Sequence, residues 1–303
     1  MLITTPASLI RFVNDGTFSL SHARYVTIDE ADTMFEKGFG NDVTSLLQQI
    51  QASAKSQKAQ YQISIVSATI PKQMLELLNK RFPDLLHITT PTLHKAVPNC
   101  RQHFVDLKHY QGNRSLALFD ALRNFEVRKS ATATKKLKDR ALIFCNTRKG
   151  VMLTYRALKD KGIPALCLYG GVPSPVDPPS DRELVKRFLN PNLAESITIS
   201  PRSQESNNKS IDESTAVDIT EEDSDSQPRI LVCTDIASRG LDTTSCNHVI
   251  LYDFPTSVVD YLHRIGRTAR AGKTGTVTCL IGKKDRALAE RIRRSVKTNN
   301  VLS

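Results

Sequence analysis

Apolar residues in this chain fall into two kinds of run. Short, nearly unbroken runs occur at Ile63–Val66, Ala141–Cys145, Ile230–Cys233 and Val249–Leu251. Runs of this length without strict alternation predict strands buried on both faces, as in a parallel sheet. Arg24–Ile28, Arg101–Leu107, Pro164–Tyr169 and Gly275–Ile281 are read as further strands, and Met1–Pro6 as a strand that stops at a proline. Helical spacing runs through Asn41–Ile50, Pro71–Arg81, Asn113–Phe125, Gly150–Lys161, Tyr261–Ala271 and Asp285–Thr298. The last of these is amphipathic and Arg-rich. Gln51–Gln60 and Val127–Arg140 are polar or basic and are read as loops.

The 303 residues predict two domains. Phe82–Asn99 carries Pro83, Pro91 and Pro98 and reads as the connector. The boundaries follow as a first domain over 1–90, a linker over 91–100 and a second domain over 101–296. Asn190–Pro228 interrupts the second with nine acidic residues, two basic ones and little apolar content. It predicts a disordered insertion. The whole chain has a net charge of +11, and without that segment 40 basic and 22 acidic residues leave +18. Such an excess favours a polyanionic partner, although ribosomal and membrane-surface proteins share it. The acidic segment is read as a solvated linker; folding over the basic surface as an RNA mimic is the alternative. The six cysteines show no C-x-x-C spacing and no pairing with histidine that suits zinc. Cys145 and Cys233 lie in apolar runs and read as small buried residues in a reducing compartment. No apolar run reaches membrane-spanning length, so no membrane partner is expected.

The chemistry concentrates between Arg229 and Gly275. Two predicted strands there lead into aspartates, Asp235 and Asp253. Four basic side chains then follow within eight residues: His263, Arg264, Arg267 and Arg270. On a helix, Arg267 and Arg270 share a face. Two guanidiniums aimed at one point call for an anion, and a transferring phosphoryl group fits. A solvated basic helix is the ordinary alternative. Gly266, Gly272 and the strand pattern upstream favour the functional reading.

Val26–Asp32 reads V-T-I-D-E-A-D, and Ser67-Ala68-Thr69 follows the next apolar run. With R-G-L-D and H-R-I-G-R-T-A-R downstream, these motifs in this order resemble the DEAD-box RNA helicases, from about Ile3 to about Arg294. The stretches D-E-A-D-T-M-F-E-K-G-F-G and T-L-H-K-A-V give a narrower likeness to plastid-type plant members linked to organellar rRNA maturation. The resemblance implies an α/β fold of two RecA-like parallel-sheet domains, with ATP and Mg²⁺ bound between them and RNA across both. It implies that Asp29 holds Mg²⁺ through water and that Glu30 orients and deprotonates the attacking water. Arg267 and Arg270 would be arginine fingers. Asp32, Ser67 and Thr69 would couple nucleotide to RNA, Asp242 would bind ribose, and His263 would bond across the interface. Thr5, Arg148, Thr234 and Gly240 would touch the RNA backbone without reading bases.

Three departures from the family pattern stand out. Ala7 and Ser8 replace a glycine and an arginine after Pro6. The proline-rich turn after Gly171 puts Asp181 where an arginine is usual, with Arg182 about 100° away around a helix. No G-x-x-x-x-G-K-[ST] occurs, so the first domain is read as incomplete, lacking its phosphate-loop strand. The implied function is ATP-dependent RNA unwinding, with ribosomal precursor particles as partners. An ATPase-deficient RNA-binding or partner-binding module is the alternative, with negligible hydrolysis expected of these residues alone. A DNA helicase is a weaker third reading. The plastid is the expected compartment, with mitochondrion and nucleus or nucleolus as rivals.

Overall fold

The computed structural model describes residues 1–36, 40–56, 58, 60–90, 99–130, 140–170, 188, 229–235, 243, 246–270 and 272–298, the side chains of Glu36 and of residues 124–130 excepted. The chain divides into two compact units, Met1–His94 and Lys95–Ser303. The acidic segment 190–228, Asp181, Arg182, Gly240 and Asp242 lie outside the described residues.

The first unit begins with helix α1, Pro6–Asn14, rather than a strand. Thr5 supplies the reason. Its hydroxyl accepts the Ser8 N–H as an N-cap, and Pro6 fits the first turn, where no N–H is needed. Strands β1 (Tyr25–Ile28) and β2 (Gln62–Ile65) pair in parallel, Tyr25 opposite Gln62 and Ile28 opposite Ile65. Around them stand α2 (Ala31–Glu36), α3 (Gly40–Ser56) and α4 (Lys72–Arg81). Val43, Leu46, Leu47, Ile50 and Ala54 of α3 are buried, the stripe expected of an inward helix face. The loop predicted from Gln51 is therefore corrected. Ala54 continues the stripe and is only 2% exposed, so the helix runs through Ser56. Ile28, Ala31, Val43, Leu47, Met74 and Leu78 form the core that fixes the end of β1.

The second unit is a six-stranded, wholly parallel sheet in the order β3-β8-β7-β4-β6-β5. The strands are β3 (Cys100–Asp106), β4 (Arg140–Phe144), β5 (Ala165–Leu168), β6 (Ile230–Cys233), β7 (Cys246–Leu251) and β8 (Gly275–Ile281). The helices are α5 (Arg114–Ser130), α6 (Arg148–Asp160), α7 (Val258–Ile265) and α8 (Arg286–Thr298). Alternate residues of each strand serve opposite faces. Leu142, Phe144, Leu231 and Cys233 meet Tyr261, Ile265, Ala289 and Ile292 of α7 and α8. Ala141, Ile143, Ile230 and Val232 meet Ala117, Leu118, Val151 and Leu158 of α5 and α6. Two apolar faces explain why the central strands read as continuous apolar runs. The loop expected over Val127–Arg140 is corrected at both ends. Helix α5 extends to Ser130, and Arg140 is a buried strand residue, 6% exposed. Arg140 is accommodated because its guanidinium lies over the Phe188 ring, 5.4 Å from the centroid.

Strand β4 sits between β6 and β7, so the chain reverses its winding direction there. In open parallel sheets a crevice opens at the carboxyl ends of strands where the order reverses. The ends of β4, β6 and β7 lead into Asn146, Asp235 and Asp253.

Candidate functional site

In the first unit the predicted carboxylates stand at the end of β1. The register is fixed by Val66 N–H to Ile28 O at 2.8 Å and Ala31 N–H to Val66 O at 3.1 Å. Between them the chain must turn sharply into α2, and Glu30 takes φ 51°, the left-handed region. For a residue other than glycine that conformation costs about 1–2 kcal/mol, and such strain gathers at functional sites. The Asp29 carboxylate braces the turn, with Oδ1 accepting the Glu30 N–H at 2.9 Å. Asp29 is exposed and Glu30 half-buried.

Asp32 has a different role. It is fully buried, and its Oδ2 accepts both the Thr69 N–H, at 3.1 Å, and the Thr69 hydroxyl. Its Oδ1 accepts the Thr33 N–H at 2.8 Å, and its own N–H donates to Ser67 Oγ at 3.0 Å. A buried carboxylate is tolerable only when its oxygens are satisfied, and bonds to a charged group are worth about 1.5–3 kcal/mol each. Asp32, Ser67 and Thr69 therefore act as one rigid piece, and they hold the β1 end to the β2 end. Thr5 is exposed at the N-terminus of α1.

In the second unit the strand ends form a charged rim centred on a residue the motif reading passed over. Arg264 is 2% exposed. Its Nε and Nη2 reach the two Asp235 oxygens at 2.7 Å each. Nη1 donates to Asp253 O at 2.7 Å, and Nη2 also donates to Asn146 Oδ1 at 2.6 Å. One guanidinium thus ties together the ends of β6, β7 and β4, and it lies 5.4 Å from the Phe144 ring centroid. The planar fork makes this possible where a lysine would not. Helical spacing held the signal. Arg264 is three residues after Tyr261 and one before Ile265, both fully buried, so it shares the inward face.

Arg114 is a second residue that the reading missed. Its Nη1 donates to Tyr252 O at 2.5 Å and lies 3.2 Å from Asp253 Oδ1, while Nη2 is 3.5 Å from Asp285. Asp253 Oδ2 also accepts the Asn146 N–H at 3.0 Å. Gly150 packs tightly beside it, since a Cβ there would lie 3.3 Å from Asp253 Oδ2 and 3.3 Å from Cys145 Cβ. The Cys145 thiol behind this rim is pushed up to about 12 by burial, so it stays protonated and inert at neutral pH.

Arg267 and Arg270 are not on a continuous helix. Helix α7 ends at Ile265 with Gly266 as its cap, and Ala269 turns left-handed at φ 56°. The shared helix face predicted for the pair is therefore corrected. Arg267 is 7% exposed, and Arg270 folds back so that its Nε donates to Gly266 O at 2.5 Å. The turn is set by tertiary packing. Thr268 donates to Cys246 O at 2.8 Å, and Gly275 lies so close that a Cβ there would stand 2.8 Å from Ala269 N. His263 is half-buried on α7. Arg148 begins α6 rather than preceding it, and its guanidinium lies 4.8 Å from the Tyr169 ring centroid. Thr234 is half-buried at the end of β6, its N–H on Leu168 O at 3.3 Å.

The structure thus gathers Asp29, Glu30, Asp32, Ser67 and Thr69 at one pair of strand ends in the first unit. In the second it sets Arg148 and Thr234 beside strand ends braced by Arg264, with His263 on the helix that carries that brace. Oxygen donors on a strained strand end suit a hydrated cation, and a rim of cations and helix N-termini suits phosphate.

Comparison with known proteins bears on this arrangement. The DEAD/DEAH box helicase family matches residues 1–77, and the helicase conserved C-terminal domain matches residues 181–272. DEAD-box ATP-dependent RNA helicase 39 of Arabidopsis thaliana is 29% identical over all of this chain and 41% of its own length. The mitochondrial ATP-dependent RNA helicase MRH4 of Phaeosphaeria nodorum is 30% identical over 95% of this chain and 42% of its own. The chain therefore spans about two fifths of the length of these relatives. Among solved structures, S. cerevisiae Dbp5 L327V bound to RNA and ADP BeF3 is similar with a TM-score of 0.66, at 19% identity, over 96% of this chain and 62% of that one. Mss116p bound to ssRNA and AMP-PNP gives a TM-score of 0.66 at 22% identity, over 99% of this chain and 51% of that one. At that identity the likeness speaks for the fold, which is that of two RecA-like parallel-sheet domains. With the D-E-A-D and S-A-T segments locked together in one unit and H-R-I-G-R-T-A-R bracing the strand ends of the other, the chain belongs to the DEAD-box helicase family.

Proposed function

We propose that this chain carries the hydrolytic carboxylates and the RNA-facing rim of an ATP-dependent RNA helicase. One observation carries the reading: Asp32, Ser67 and Thr69 are welded together directly behind Glu30, whose backbone is held in the left-handed region. A strained acidic residue on a rigid base is suited to orienting a water and accepting its proton. Asp29 fits the magnesium role. It is an exposed hard-oxygen donor, and its Oδ2 accepts no hydrogen bond among the described residues. Magnesium bound there would supply neutralisation of phosphate charge. Arg267 and Arg270 are proposed as the cations that meet that charge, with Asp242 on the ribose and His263 as a coupling residue. The ends of β4 and β6, with Arg148 and Thr234, and the helix N-terminus at Thr5 are proposed to hold RNA phosphates, together with Gly240. The domain limits 1–90 and 101–296 are proposed on the same footing. Activity is proposed for a protein that also supplies a phosphate-binding loop. The 303 residues contain no G-x-x-x-x-G-K-[ST], which supports RNA binding without appreciable hydrolysis for this stretch taken alone.

The proposed setting is an organelle, with ribosomal precursor particles as the RNA partner. The mitochondrion is favoured over the plastid, on the names of the fungal relatives. The test is RNA-stimulated phosphate release by the protein with its phosphate-binding loop, compared with Glu30→Gln. The substitution is expected to lower turnover by about 10²–10⁴-fold with RNA affinity kept. Equal hydrolysis in both proteins would overturn the reading.

A further inference from the structure

Helix α8 and the turn before it carry charge that neither the fold nor the proposed site uses. Residues 283–297 hold seven basic residues, Lys283, Lys284, Arg286, Arg291, Arg293, Arg294 and Lys297, against Asp285 and Glu290. Asp285 faces Arg114, Arg286 pairs with Asp106 at 3.2 Å, and Arg294 pairs with Glu290 at 3.2 Å. Lys283, Lys284, Arg291, Arg293 and Lys297 are exposed and have no ionic partner among the described residues.

Anchoring of the helix is done by its other face. Ala289 and Ile292 are buried, with Leu288 and Val296 packed beside them. The outer face is thus a cationic ridge about 20 Å long. Helix energetics do not account for it. The macrodipole favours cations in the last turn, which covers Lys297. It disfavours Lys283 and Lys284, which precede the first turn. Arg291 with Arg294 and Arg293 with Lys297 are like-charge neighbours, each destabilising by a few tenths of a kcal/mol.

The ridge is joined to the rim. Strand β8 ends at Ile281 beside β7, one strand spacing of about 4.8 Å away. Arg114 links the Lys283–Asp285 turn to Asp253, at 3.5 and 3.2 Å. A polyanion held at the ends of β4 and β6 can continue over Lys283 and Lys284 and along α8.

We infer that Lys283, Lys284 and the outer face of α8 form a second, sequence-independent RNA-backbone surface, which takes the RNA flanking the segment held at the strand-end rim. This rests on the RNA reading above. The test is the salt dependence of binding by the full chain to an oligouridylate of about 20 nucleotides. For single strands the slope of log affinity against log salt is roughly −0.7 per phosphate neutralised. Replacing Lys283, Lys284, Arg291 and Arg293 by Gln is expected to reduce that slope by about 2–3. Replacing four exposed lysines elsewhere, Lys55, Lys80, Lys159 and Lys161, removes equal charge and is expected to change it by less than about 1. Thermal unfolding of both variants checks that the fold is kept. Equal slopes in the two variants, or no change in the first, overturn this inference while the RNA reading stands. Absence of RNA binding by the unsubstituted chain overturns both.

Discussion

Replacing Arg264 by Leu tests whether the rim is braced as the geometry implies. The substitution removes four hydrogen bonds at 2.6–2.7 Å and leaves Asp235 without its guanidinium. Breaking a buried ion pair by deleting one partner costs about 3–5 kcal/mol, because the remaining charge is stranded. The Asp235 side chain is 22% exposed, so water relieves part of that, and the lower end applies, about 3 kcal/mol. For a unit of this size that lowers Tm by about 6–12 °C. Leucine keeps most of the volume, so packing against Phe144 contributes little to the loss. The assay is urea unfolding of the full chain, followed by circular dichroism, for Arg264→Leu, Asp235→Asn and the double variant. The two single effects are expected not to add, with a coupling of about 2 kcal/mol, and the coupling is expected to be insensitive to salt because the pair is buried. A loss under about 1 kcal/mol for Arg264→Leu, or simple additivity in the double variant, refutes the brace.

Gly275→Ala should destabilise by about 1–3 kcal/mol, since its Cβ would stand 2.8 Å from the Ala269 backbone nitrogen; a neutral result in thermal unfolding would contradict the close approach. Glu30→Gly should relieve left-handed strain and raise stability by up to about 1 kcal/mol while abolishing RNA-stimulated hydrolysis in the protein that also supplies a phosphate-binding loop. A destabilised Glu30→Gly protein would count against strain at this position. Burial pushes the Cys145 and Cys100 thiols up to about 12, and it raises Cys233, Cys279 and Tyr261 as well. A raised folded-state value means that this stabilisation is complete below the unfolded thiol value near 9 and is lost as pH rises towards 12. Urea midpoints should therefore fall between pH 9 and pH 12, and the five buried thiols should resist aromatic disulfide reagents at pH 8 until the chain unfolds. Rapid modification of the native protein would show that burial is not holding them.

Much was legible in the order of residues alone. Unbroken apolar runs identified β4, β6 and β7, three interior strands of the six-stranded sheet, because a strand covered on both faces has little room for polar positions, while β3, β5 and β8 were read as strands from more mixed segments. The D-E-A-D and S-A-T segments marked their strand ends because their chemistry depends on short-range spacing. Helix limits were less legible. The polar Gln51–Ser56 reads as loop, yet one inward alanine among Gln, Ser and Lys was enough to continue α3.

Only the tertiary structure decided what the basic cluster does. Spacing places Arg264, Arg267 and Arg270 on one helix. Contacts from distant strands divide them, since Asp235, Asn146 and Asp253 draw Arg264 inward while Gly275 and Cys246 fold the following residues into a turn. Sequence periodicity reports which residues face inward along one element. It does not report which atoms from elements about 10 to 120 residues away will be waiting there, and a buried guanidinium is worth keeping only where those acceptors converge.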